Sequence, residues 1–368
     1  MPNSRKAWTK AALAAGLAAI AAAPLAAVPA QAAPARTHAA AEATVEVLAS
    51  GLKNPRGVTA LGDGTLLVAE AGDGSATCAA GTLCAGRSGS VYKVRGGFKG
   101  RVVTDLPSVA VGPAGPTSVA AGPNDVLPDP RGGYVVLNAF GSDGTNTLRA
   151  SLGADARDLG TLLRTRDRKV LADLTDHETT QNPDGADVNS NPWGVVRSGS
   201  GYLATDAGGN SVLRVSGSGT TSTAFVLPTN TLPNGVVRQA VPSGIVKAHD
   251  GTVYFSDLGA IVPGLSRVWK VAPGGTPQVL ATGLNGVADL AVTPDGNLLA
   301  LSYTKGTPAP PLQPGALTKI DVTTGQTTEI PTGTLLNAPT GLAVGPHGQI
   351  YVTNNTLGSN GQLVRVRP

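Results

Sequence analysis

Five side chains recur at one place in a repeated phrase of this chain. Glu70, Asn138, Asp206, Asp257 and Asn354 close the apolar runs LLVAE, YVVLN, YLATD, VYFSD and IYVTN. If the repeats stand round a common axis, equivalent positions face one shared region and these oxygens converge. Such a set suits Ca2+, which takes about 6–8 carboxylate and carbonyl ligands. The same residues also have a local use, because an oxygen at a strand end accepts bonds from the N–H groups of its own turn. A second oxygen-rich stretch is Asp187, Asn189 and Asn191, spaced D-x-N-x-N like the first half of an EF-hand loop. Pro192 stands where that loop has glycine, and Ser198 where it has its bidentate glutamate. Chelation there competes with a plain Asx-rich lead into the strand that carries Trp193.

Acid–base chemistry has one candidate. His177 lies beside Glu178 in a stretch that reads as a loop, whereas His38 falls near the N-terminus and His249 and His347 sit in hairpin turns. The sequence has no G-x-S-x-G elbow, zinc-spaced histidines, Walker loop or dinucleotide fingerprint. Arg56, Trp193, Ser243 and Thr340 each hold the middle position of a P-x-G phrase. They either line a central channel suited to a carbohydrate or peptide, or pack blade against blade. Cys78 and Cys84 are the only cysteines. An even, close pair in an exported chain predicts one local disulfide, and two thiols with no nearby histidine make a poor metal site.

The elements that must position these residues are written six times. Clear copies are NPRGV with GDGTLLVAEAGDG from Asn54, NPWGV with GYLATDAGGNSVLRV from Asn191, VPSGI with DGTVYFSDLG from Val241, and APTGL with GQIYVTNNT from Ala338. A unit of roughly 40–50 residues made of short β-runs and Gly turns is the signature of a propeller blade. The spacing predicts an all-β, six-bladed β-propeller with blades at about 51–109, 115–179, 190–230, 240–283, 284–336 and 337–368. The second copy is degenerate. Its opening reads Gly115-Pro116-Thr117-Ser118-Val119, and it carries an insertion over 154–168 that suits a short helix or long hairpin. The last copy ends at Pro368 after three strands, while an orphan strand at 44–49 precedes the first copy. That strand is expected to complete the last blade and close the ring, which leaves no free sheet edge.

Residues 1–32 read as a cleaved signal peptide, with Arg5, Lys6 and Lys10 before an Ala/Leu-rich run and Ala30-Gln31-Ala32 as the cleavage site. Residues 33–43 read as a disordered leader, and 44–368 as the propeller. With the three signal-peptide bases removed from 28 Lys and Arg, 25 face 24 Asp and Glu. A near-neutral mature chain lacks the basic face that nucleic-acid binding needs. No other stretch reaches the ~18–20 apolar residues of a membrane span.

The P-x-G and DG-x-φ-φ-V pattern resembles NHL-type propellers and the gluconolactonase-like six-bladed propellers. LASGLKNPRGV, the paired cysteines of the first blade, VLADLTDHE with NPDGADVNSNPWGV, and ATDAGGNSVLRV resemble the ScyD/ScyE family more specifically. The likeness runs over essentially the whole mature chain. It implies a secreted propeller and carries no defined reaction. The sequence therefore reads as a secreted, monomeric binding or scaffold module for a protein, a cell-wall component or a small molecule. Ca2+ is the one cofactor its chemistry suggests. The alternative is a Ca2+-dependent hydrolase or lactonase, although Arg, Trp, Ser and Thr occupy the P-x-G positions where such enzymes place metal ligands. A lyase like the streptogramin-inactivating propellers would need a central His–Glu pair.

Overall fold

The structure, a computed structural model, describes residues 43–113, 118–140, 147–232 and 234–368. The signal peptide, all but the last residue of the leader, and Gly115 to Thr117 of the expected second-blade opening lie outside the described residues. Six antiparallel sheets form the blades of a propeller. The innermost strands are Pro55–Ala60, Pro123–Pro128, Pro192–Ser198, Pro242–Lys247, Val287–Val292 and Gly341–Val344. The second strand of each blade, such as Leu66–Glu70 or Ile350–Asn354, is apolar and almost wholly buried. Burial on both faces removes the polar alternation of a half-exposed strand.

Each interface between neighbouring blades has its own apolar core. Val68, Leu363 and Leu52 join the sixth blade to the first, and Leu67, Val126 and Leu163 join the first to the second. Leu162 with Val195, Leu203 with Phe255, Tyr254 with Leu290, and Leu299 with Val352 continue the series round the ring. The core of this domain is thus six wedges rather than one centre.

Closure follows the expected route. Strand Thr44–Leu52 pairs antiparallel with Gly361–Arg367, from Thr44 against Arg367 to Leu52 against Gly361. The sixth blade therefore takes its outer strand from the start of the chain. Leu52, fully buried, anchors this strand against Val58 and Leu363.

Two local expectations change. The second blade begins at Pro123, and the expected insertion supplies its third strand, Thr161–Arg164, after a short 3-10 turn at Ala154–Ala156. The phrase Pro123-Asn124-Asp125-Val126 does not stand out in the sequence because aspartate replaces the P-x-G glycine. His177 lies on a helix rather than in a loop. Two α-helices occur among the described residues, α1 at Thr147–Ser151 and α2 at Leu174–Gln181. Asp173 caps α2 by accepting the Asp176 N–H at 3.0 Å, a satisfied orphan donor that lets a Thr-rich octapeptide hold a helix.

Removing Thr44 to Ala49 should expose the Gly361–Arg367 edge and lower the melting temperature by several degrees in scanning calorimetry. Leu52→Ala should cost about 2–5 kcal/mol in denaturant unfolding, as for other fully buried leucines. An unchanged melting temperature in the deletion would refute the closure.

Candidate functional site

The P-x-G strands run alongside the axis, so their polar groups meet there. Thr340 Oγ1 donates to Pro55 O at 3.1 Å, Thr59 Oγ1 to Val126 O at 2.6 Å, and Asn124 Nδ2 to Trp193 O at 2.6 Å. Thr205 Oγ1 donates to Ser243 O and Ser243 Oγ to Val287 O. The Leu342 N–H completes the circuit by donating to Asp289 Oδ2 at 2.8 Å. Every blade is joined to the next by at least one such bond. Arg56 Nη2 adds a bond to Ala120 O at 2.7 Å, on the segment that leads into the second blade. Of the four channel candidates, Ser243 and Thr340 therefore join neighbouring blades, while Arg56 bonds within the sheet of its own blade, to which Ala120 belongs. Trp193 reaches from the third blade to the fifth, where its indole N–H donates to Ala288 O at 3.0 Å. Its ring packs with Leu258, Ile261 and Tyr303. The remaining axial cavity is about 10 Å³, bordered by Arg56, Asn124, Asp125, Trp193, Asp289 and Thr340, and holds about one water molecule.

Two carboxylates on this axis escaped the sequence reading. Asp125 and Asp289 stand where the other four blades have Gly57, Gly194, Gly244 and Gly341. They occupy the second and fifth blades, on opposite sides of the ring. Each bridges three blades. Asp125 accepts the Val126 and Val195 N–H groups at 2.8 and 2.9 Å, while a Cβ on Gly57 would come within 2.7 Å of its Oδ1. Asp289 accepts Leu290 and Leu342 in the same way, and Gly244 leaves the room for it. Burial pushes the Asp125 carboxyl up to about 7 against the pull of its two N–H partners. Burial, and then the charge of Asp125, holds Asp289 well above the usual carboxylate range. Aligning the six P-x-G phrases and asking which blades lack the glycine would have found both.

The five strand-end residues occupy equivalent places, as expected, but each turns back into its own blade. Glu70 accepts from Lys53 N, Ser90 Oγ and the Arg101 guanidinium at 2.5–2.8 Å. Asp257 takes Arg267 Nε at 2.7 Å and Trp269 Nε1 at 3.0 Å. Asp206 sits in a nest of N–H groups from Asn191, Gly208 and Gly209, with Ser190 Oγ at 2.7 Å. Asn354 receives Asn337 N, and Asn138 donates to Asp158 O. Among the described residues no group of three or more His, Cys, Asp or Glu is placed to hold a metal ion. A guanidinium on Glu70 and another on Asp257 already supply the positive charge a cation would bring. The D-x-N-x-N stretch also disperses. Asp187 is exposed, the Asn191 N–H serves Asp206, and Asn189 keeps a buried, unpartnered Oδ1.

A sizeable recess lies at the rim. Its volume is about 770 Å³, and α2 and strand Thr221–Val226 form its walls. Asp176, His177, Thr180, Gln181, Ser222 and Thr223 give it a polar lining. His177 Nε2 lies 2.9 Å from Thr223 Oγ1. Burial pulls the imidazole below its ordinary value, with Asp176 opposing. Cys78 and Cys84 form the expected disulfide, with Cα atoms 5.8 Å apart. It ties the loop of the first blade, away from both sites. No helix among the described residues is long and apolar enough to cross a membrane.

No family model matches the chain, and no curated protein matches it. Among solved structures it is similar to a catalytically inactive virginiamycin B lyase from Staphylococcus aureus, at a TM-score of 0.51 and 11% identity over 89% of this chain and 100% of that one. A Bacteroides thetaiotaomicron protein of unknown function matches at 0.53 and 11%, over 88% of this chain and 76% of that one. A luciferin-regenerating enzyme matches at 0.50 and 13%, over 89% and 95%. At these identities the likeness shows the propeller fold and no activity.

Between about pH 4 and 7 the folded chain retains the Asp125 proton while the unfolded chain has released it. The contribution of Asp125 to folding stability therefore falls as pH rises through that window. Melting temperatures from about pH 4.5 to 8 should fall less steeply in Asp125→Asn than in the native chain, and identical slopes would exclude the assignment.

Proposed function

We propose that this chain is an exported binding module of the ScyD/ScyE kind whose ligand is a small hydroxylated molecule, such as a cell-wall saccharide, taken at the rim recess. The observation that carries the reading is the blocked axis. An axial propeller enzyme needs an open central pocket, and here Trp193 spans it and about 10 Å³ remains. Both oxygens of Asp125 and of Asp289 are held by main-chain N–H groups. Neither carboxyl therefore presents a free oxygen to a metal.

The rim recess has the opposite character. Hydroxyls, a carboxamide, carboxylates and an imidazole line an opening of about 770 Å³. Those groups offer paired donors and acceptors to sugar hydroxyls, the few directed polar contacts that fix a ligand's orientation. The disulfide suits an oxidising compartment.

Calorimetry of the mature chain with N-acetylglucosamine oligomers tests this. Binding should weaken about tenfold in His177→Ala and in Thr223→Ala, the loss expected for one or two hydrogen bonds. No binding, or variants that bind like the native chain, would reject it. Hydrolysis of δ-gluconolactone above the buffer rate, abolished in Asp125→Asn, would instead establish the lactonase alternative.

A further inference from the structure

Glu178 has an unusual position. It lies on the inner side of α2, is 1% exposed, and neither carboxylate oxygen meets a donor in full hydrogen-bond geometry, the Asn189 N–H being the one main-chain donor near enough to pull on its charge. Its place is fixed from both ends of the helix. Asp173 caps the N-terminus, and Asn182 closes the C-terminus in the left-handed region at φ 39, its N–H donating to Glu178 O at 2.9 Å. Thr175 Oγ1 donates to Ser190 Oγ at 3.2 Å and ties the first turn to the third blade. The carboxylate then rests over Gly209, where any Cβ would collide with Oε2.

The surroundings are rich in oxygen and poor in donors. On the connector that follows α2, Asn182 Oδ1 and Asn189 Oδ1 are also buried without partners. The Asn189 N–H, Asp206 and Asp184 are all close enough to act on the Glu178 carboxyl, the two aspartates repelling its charge. Asp206 is saturated by N–H and hydroxyl donors, and Asp184 by Ala186 N and Asn210 Nδ2. No Lys or Arg pairs with Glu178 among the described residues. Protonation would not repair this, since the acid O–H would still have no bonded acceptor in the structure.

We propose that Glu178 and Asn189 hold a hard divalent cation of the Ca2+ class, pinning α2 and the 182–191 connector to the third blade. One carboxylate and a carboxamide oxygen, completed by main-chain carbonyls and water, are the ligands Ca2+ accepts. So low a ligand charge belongs to the weak end of its range, about 10⁻⁴–10⁻³ M. Of the D-x-N-x-N triplet only Asn189 takes part. The site stands apart from the saccharide reading, because His177 faces Thr223 and the recess while Glu178 faces Gly209.

The test is thermal unfolding and limited proteolysis of the mature chain in chelator and in millimolar CaCl2 or MgCl2. CaCl2 should raise the melting temperature by a few degrees and slow cleavage within 182–191, with MgCl2 much less effective. Both effects should vanish in Glu178→Gln, weaken in Asn189→Ala and persist in Asp187→Asn. In chelator Glu178→Gln should melt no lower than the native chain, because it removes a buried, uncompensated charge. Absence of a CaCl2 shift in the native chain, or its persistence in Glu178→Gln, would overturn the proposal. An equal shift with MgCl2 would overturn the choice of Ca2+.

Discussion

A blade has no rigid core of its own, so its position depends on its two neighbours. The belt of hydrogen bonds round the axis is the constraint on which the rest of this molecule hangs. Apolar packing between blades is large but non-directional, and it would tolerate small rotations of one wedge against the next. The bonds from Thr340 to Pro55, Asn124 to Trp193 and Leu342 to Asp289 do not. They set the height and angle of each innermost strand. Two carboxylates on opposite sides of the ring serve this belt, each receiving N–H groups from two blades and filling the space above a glycine of a third. Their burial is tolerated because both oxygens are hydrogen-bonded.

This constraint explains which parts of the molecule remain available for recognition. Residues in the middle of P-x-G look like a ring of ligand contacts when written in a row. In space their polar atoms are directed at carbonyls of the ring itself. The strand-end residues behave alike, with Glu70 and Asp257 neutralised by arginines of their own blades. At the axis and at the strand ends the polar groups already bond within the ring, whereas the connectors vary from blade to blade. One marked departure from the repeat lies between Asp173 and Asn191, which is where α2, the recess and the unpartnered Glu178 all occur.

Much of the fold is legible in the sequence because propeller blades impose regular punctuation. Glycine turns, buried double-faced strands and an orphan N-terminal strand are consequences of packing each sheet on both sides and closing a ring. The start of the second blade is obscured for a definite reason. Asp125 replaces the glycine that marks the motif, and a pattern search keyed to glycine passes over it. Helix α2 is hidden because TDHETTQ carries weak intrinsic propensity, and its stability comes from the Asp173 cap and the Thr175–Ser190 contact. The burial of Glu178 is illegible for a related cause. A carboxylate in a polar octapeptide reads as solvated until Gly209, distant in sequence but adjacent in space, is seen to receive it.

The acidic groups make one further point about the design of the ring. Asp125, Asp289, Asp206, Asp257 and Glu178 are all raised by burial, yet they are compensated in different ways. Asp125 and Asp289 meet main-chain dipoles, Asp206 a nest of N–H groups, and Asp257 a guanidinium and an indole. Each arrangement gives both oxygens, or the charge as a whole, a fixed partner within the chain. Glu178 has only the nearby Asn189 N–H, out of full hydrogen-bond geometry, and no fixed partner on either oxygen. The group that departs from the rule its neighbours obey lies beside a connector that the repeat does not dictate, so its burial is set by the fold of that connector and not by the closure of the ring.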